Sequence, residues 1–117
     1  MTSKLDAATE ALNHALMEAE EKLVAAYPGV TATIKLPSGE TLTFGKRDGG
    51  WGLYIVDVGQ QHIPILTASR RVRTDVAMSL FDMARALAAA EVNFIASVQA
   101  ATEQARLFVK TPTKVSK

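Results

Sequence analysis

Apolar residues recur at steps of three and four through the first 26 positions. Leu5, Ala8, Leu12, Ala15 or Leu16, Ala19, Leu23 and Ala26 fall on one stripe, which predicts an amphipathic helix. Thr2 or Ser3 is placed to cap it and Asp6 suits its first turn. The tripeptide Tyr27, Pro28, Gly29 ends it, because proline cannot continue a helix and glycine permits the reversal. The period then changes to two. From Val30 to Leu36, the residues Val30, Ala32, Ile34 and Leu36 point one way, and Thr31, Thr33 and Lys35 the other. Pro37 to Glu40 reads as a tight turn. Thr41 to Phe44 resumes the alternation with Leu42 and Phe44 inward, so the pair is a hairpin with one buried face and one threonine-rich wet face.

A second turn, Gly45 to Gly50, leads into a β-branched and aromatic run from Trp51 to Val58, predicted as a third strand. After Gly59 to Gln61, a fourth strand is predicted over His62 to Thr67, at a sheet edge because Pro64 has no ladder donor. From Ser69 or Thr74 to Val109 there is no proline or glycine. Val76, Leu80, Met83, Leu87, Ala90, Phe94, Val98, Ala101, Ala105 and Phe108 keep three-four spacing throughout, which predicts one long helix of roughly 50 Å. The expected fold is α+β in the order α-β-β-β-β-α, with both helices on one face of a four-stranded antiparallel meander. Residues 1–109 form the single domain and residues 110–117 a polar tail.

Strands of this length span about 20–25 Å, less than half of the final helix. Its apolar stripe nevertheless continues to Phe108, so something beyond the sheet must cover Phe94, Ile95, Val98 and Phe108. A second subunit in a homodimer is the favoured cover, with the first helix, or a helix broken near Ala88–Glu91 and folded back, as the alternatives. The third strand points the same way. Trp51, Leu53 and Ile55 alternate with Tyr54, Val56 and Val58, so both of its faces are apolar, and Trp51, Tyr54 and Val56 join the candidate protein interface.

Composition narrows the class. The chain has 117 residues, one domain's worth, and 48% of them are hydrophobic, which excludes disorder. There is no cysteine, so disulfides, thiol catalysis and thiolate metal sites are all excluded. No run approaches the roughly 18 apolar residues of a membrane span and the first residues do not form a signal peptide, so a cytoplasmic protein with no membrane partner is expected.

Thirteen Lys and Arg balance twelve Asp and Glu at a net charge of +1, but the charges are unevenly placed. Residues 1–29 carry two cations and five anions, and residues 30–75 six cations and four anions. Lys46, Arg47, Arg70, Arg71 and Arg73 would share one end of a simple meander, a candidate anion or nucleic-acid site. Local pairing to Asp48, Asp57 or Asp75 explains these cations as well, and no helix-turn-helix or zinc-finger spacing supports sequence readout.

Glu10, His14 and Glu18 share a helix face at steps of four, but no second histidine completes a metal site. His62 and Asp57 flank one turn, yet there is no nucleophile elbow and no phosphate-binding glycine loop. No catalytic residue, metal or cofactor is assigned. The expectation is a small non-enzymatic interaction protein, a homodimeric adaptor, inhibitor or structural accessory subunit; the alternative is a nucleic-acid-binding module using the basic patch. Similarity of plan to small bacterial nucleoid-associated proteins, or to phage and mobile-element accessory proteins, is architectural only, with no motif to carry residues across.

Overall fold

The computed structural model describes residues 3–57 and 59–112. Helix α1 covers Lys4–Ala26, and Ser3 caps it by accepting the Asp6 N–H on its Oγ at 3.0 Å. The helix ends as the chain chemistry requires: Tyr27 N–H still reaches Leu23 O, and Gly29 then takes φ 77°, a backbone conformation that side chains disfavour.

Strands β1 (Ala32–Lys35), β2 (Thr41–Arg47), β3 (Gly50–Val56) and β4 (His62–Pro64) pair in sequence order as an antiparallel meander. Leu42 lies opposite Ile55 and Phe44 opposite Leu53, so one face of the central pair is apolar across these two rungs. A single 3-10 turn, Ile65–Thr67, leads to α2 (Arg70–Met78) and α3 (Leu80–Lys110). The helices cover one sheet face, α1 over β3, α3 over β1, and α2 against α1. Leu16 and Leu23 of α1, Val72 and Val76 of α2, and Met83 and Leu87 of α3 close with Leu42, Phe44, Leu53, Ile55 and Ile65 into one core.

Three local details depart from the sequence pattern. The fourth strand is only three residues long, because Pro64 ends the ladder and Ile65 turns down into the core, 2% exposed. The long helix is interrupted at Ser79, where Ser79 N–H bonds to Val76 O three residues back instead of four. There α2 packs on α1 and α3 packs on β1, and one straight rod cannot follow both partners. From Leu80 the helix is continuous, with no break at Ala88–Glu91, and it runs to Lys110, the first residue of the expected tail. Val58, expected in the third strand, and residues 113–117 of the tail lie outside the described residues.

Because β4 stops at Pro64, opposite Tyr54, the edge of β3 is bare at Leu53. Glu20 of α1 fills the gap, its Oε2 accepting the Leu53 N–H at 2.7 Å. A Cβ on the neighbouring Gly52 would collide with that carboxylate, so the edge is closed by a glycine and a glutamate acting together.

At 1.5 Å per residue α3 is about 46 Å long, and the molecule measures 83 × 28 × 23 Å. Every residue from 92 to 112 is exposed. The helix is therefore anchored by its first third and carried clear of the body by the rest.

Two predictions follow from this division of labour. Leu87→Ala, in the core, should lower unfolding free energy by about 2–5 kcal/mol, while Leu107→Ala, on the free part of the helix, should stay within about 0.5 kcal/mol, both read by urea denaturation. Glu20→Ala and Gly52→Ala should each cost about 1–3 kcal/mol. The double variant should lose clearly less than the two costs added, since both remove the same bond.

Candidate interaction surface

The free part of α3 has almost no charge. Between Arg85 and Glu103 the only ionised side chain is Glu91. Phe94, Ile95, Val98, Leu107, Phe108 and Val109 all expose about half of their area or more. All but Leu107 belong to one stripe that also holds Ala101, Thr102 and Ala105, since these positions recur at steps of three and four. Glu103, Arg106 and Lys110 lie outside the stripe, and Arg106 is paired along the helix to Glu103 at 3.3 Å. A helix this apolar is normally buried in something. Where the stripe meets the body, a hollow of about 350 Å³ opens between Phe94 and the Gly29–Thr31 segment.

The expected sheet contribution to this surface is distributed differently. Trp51 lies on the helix-covered face, its ring 6.1 Å from that of Phe44, and remains 36% exposed at the edge. Tyr54 does point to the wet face, yet it is only 5% exposed. Its side chain runs back along β3 past Gly52, and its hydroxyl donates to Gly50 O at 2.7 Å. The hydroxyl also lies against Gly49, where a Cβ would approach it to 3.1 Å. Val56 is half-buried beside it. The sheet residues thus form no patch continuous with α3.

The five basic residues are likewise not gathered. Lys46 shares the helix-side face with Trp51, whereas Arg47 folds back over Gly45 on the wet face and its Nη2 meets His62 Nε2 at 2.9 Å. The short β4 and the 3-10 turn carry the chain under the sheet before α2 begins, so the α2 arginines find other company. Arg70 reaches Thr9 Oγ1 at 3.4 Å, and Arg73 donates to Asn13 Oδ1 at 2.7 Å. Asp6 and Glu10 line the same cleft, so the acidic start of α1 offsets the basic start of α2 within one chain. Ser69 caps α2 by accepting the Val72 N–H. Arg71 acts instead on the first hairpin turn. There the Ser38 hydroxyl first, and the backbone N–H of Glu40 itself, hold the Glu40 carboxyl below its ordinary value of 4.5, with Arg71 adding a weaker pull and burial opposing. Ser38 Oγ and Glu40 Oε1 are shielded from solvent without closing a well-formed hydrogen bond, so the hydroxyl acts on the carboxylate mainly through its dipole.

Asp57, weighed as a partner for His62, caps the β3–β4 turn by accepting the Gln61 N–H at 2.9 Å. His14 lies exposed on α1 with Glu10 and Glu18, and among the described residues no group of three metal-binding side chains comes together. No helix of the described residues is long and apolar enough to cross a membrane. The threonine-rich wet face is an open polar depression of about 710 Å³, with Thr33 and Thr43 hydroxyls 3.3 Å apart at its floor.

Met78 and Phe81, 79% and 81% exposed, flank the interruption at Ser79 and lie off the stripe of Val76, Leu80, Met83 and Leu87. Val92, Leu107 and Val109 also add to the apolar area of α3. Val109 continues the stripe at i+4 from Ala105, a signal present in the heptad spacing.

No protein-family model matches the sequence, and neither the curated proteins nor the solved structures provide a significant match. Function must therefore be read from the chain's own surface.

A carboxyl held below its unfolded value adds stability above that value, and the contribution is lost as pH falls through the folded value. Glu40→Gln should therefore reduce stability at neutral pH and show a flatter decline below about pH 4.5 than the parent chain. Thermal melts across pH 3–7 would read the difference.

Proposed function

We propose that this chain is a small non-enzymatic interaction protein, an adaptor or structural accessory subunit that acts as a self-associated pair. The α+β body serves as a mount and α3 as the binding element. One observation carries this reading: every described residue of the helix beyond Glu91 is exposed, while its apolar stripe continues to Val109. A catalytic reading has much less to rest on. The threonine-lined depression is open and polar, and its one close side-chain pair involving a histidine, Arg47 with His62, has no nucleophile within the contacts they make.

Burial of this stripe would remove large side chains from water at about 25 cal/mol per Å², so one charge at its centre should undo the association without touching the core. Size-exclusion chromatography with light scattering should give twice the chain mass at tens of micromolar for the parent protein and the single-chain mass for Val98→Asp. Circular dichroism of the two should coincide. A parent chain that stays monomeric at that concentration would refute self-association.

A further inference from the structure

The stripe has a symmetry of its own. Phe94 and Ile95, Val98, Ala101 and Thr102, Ala105, Phe108 and Val109 are spaced by steps that read the same in both directions. The centre of the pattern falls between Ala101 and Thr102. A two-fold axis through that centre, perpendicular to the helix, therefore lays the stripe onto itself with the direction of the chain reversed.

On this basis we infer that a second copy of this chain occupies the stripe, pairing antiparallel to α3 about the Ala101–Thr102 midpoint. The inference rests on the self-association proposed above and adds its geometry. In this register Phe94 meets Val109 of the second copy, Ile95 meets its Phe108, and Val98 meets its Ala105. Ala101 lies beside its Thr102. Small residues at the centre let the helices approach closely, while larger ones close both ends.

Charge selects the same direction. In the antiparallel pair, Glu91 of one copy and Lys110 of the other come within about 3 Å of level along the axis, on the same flank of the interface. Ionised side chains are absent from the axis itself. A parallel, in-register pair would instead hold Glu91 level with Glu91 of the copy and far from either Lys110, a like-charge approach with no compensation. It would also set Ala101 against Ala101 and Phe94 against Phe94, leaving uneven layers. The reversed direction also brings the end of the second copy's α3 to the hollow beside Phe94 and the Gly29–Thr31 segment.

The area is sufficient. Phe94, Ile95, Val98, Phe108 and Val109 are 54%, 50%, 49%, 65% and 81% exposed. With the small residues between them they offer on the order of 600 Å² per copy, or ~1,200 Å² in all. That is the low end for a specific interface.

Because the chain has no cysteine, single-cysteine variants report the geometry without background. Along the axis, position 101 of one copy lies about 1.5 Å from its mate, whereas position 98 lies roughly 10 Å from its mate, too far to bridge. Under mild oxidation at tens of micromolar, Ala101→Cys should shift to a covalent dimer on a non-reducing gel. Val98→Cys and Ala105→Cys should each remain single chains, and their mixture should give the covalent dimer. Self-linking of Val98→Cys and of Ala105→Cys alone would mean a parallel pair and would overturn the inference. A parent chain that is dimeric by light scattering, with no linking at 101 or in the mixture, would place the interface elsewhere. That result would overturn the inference and leave self-association standing. A monomeric parent chain would overturn both and leave the stripe to a different protein.

Discussion

Length mismatch governs this molecule. A sheet whose longest strands have seven residues reaches only about 23 Å, and it anchors a helix about twice as long. The core secures α3 through Met83 and Leu87, both fully buried, and cover thins out at Ala90. Beyond it one face of the helix is polar and the other, from Phe94 to Val109, is an exposed apolar stripe. The body itself is well closed: the apolar faces of the sheet, α1 and α2 interlock in one cluster, and no vacancy remains there to receive the rest of the helix. The longest run of exposed apolar residues therefore lies on a single protruding element, with Leu5, Met17, Met78 and Phe81 exposed elsewhere.

The sheet shows the opposite economy, in which each local deficit is repaired inside the chain. β4 is too short to cover β3, and Glu20 supplies the missing acceptor at Leu53, with Gly52 leaving room for it. Tyr54 on the wet face is nonetheless buried, and its hydroxyl bonds to Gly50 O where Gly49 leaves room for it. Three arginines begin α2, against the helix dipole, and two of them are received by Thr9 and Asn13 on α1. A chain that resolves these smaller conflicts internally makes the long apolar stripe of the uncovered helix more informative.

Much of this was legible in the residue pattern, and the exceptions share a cause. Periodicity and stop signals place α1, with its Ser3 cap and its end at Pro28–Gly29, and the alternation around Leu42 and Phe44 places the hairpin. These depend on neighbours in sequence. The interruption at Ser79 has no glycine or proline to announce it, because it arises from two tertiary partners pulling α2 and α3 apart. The early end of β4 depends on Ile65 finding the core, and the fate of Tyr54 on what its ring can lie across. Of the candidate site, the α3 residues Phe94, Ile95, Val98 and Phe108 were legible from spacing and length alone. The dispersal of the basic cluster was not, since it follows from the path taken between β4 and α2.

The protruding helix also raises a question of its own stability. An isolated helix of about twenty residues is marginal in water, because nucleation is costly and only packing makes helical conformation secure. Here the anchored turns from Leu80 to Ala90 supply the nucleus, so the free part only has to propagate. Its alanines, glutamines and arginine favour that, whereas Val92, Ile95, Val98, Thr102 and Val109 oppose it by losing side-chain freedom in a helix. Four of those five lie in the stripe. Branched side chains there reduce helix propensity and expose apolar area in the lone chain, two costs with one compensation: packing against another helix, where stiff side chains lose little further entropy on contact. In the proposed pair, a mount that holds such a helix straight beforehand would lower the ordering cost of association, which favours an interface of modest area.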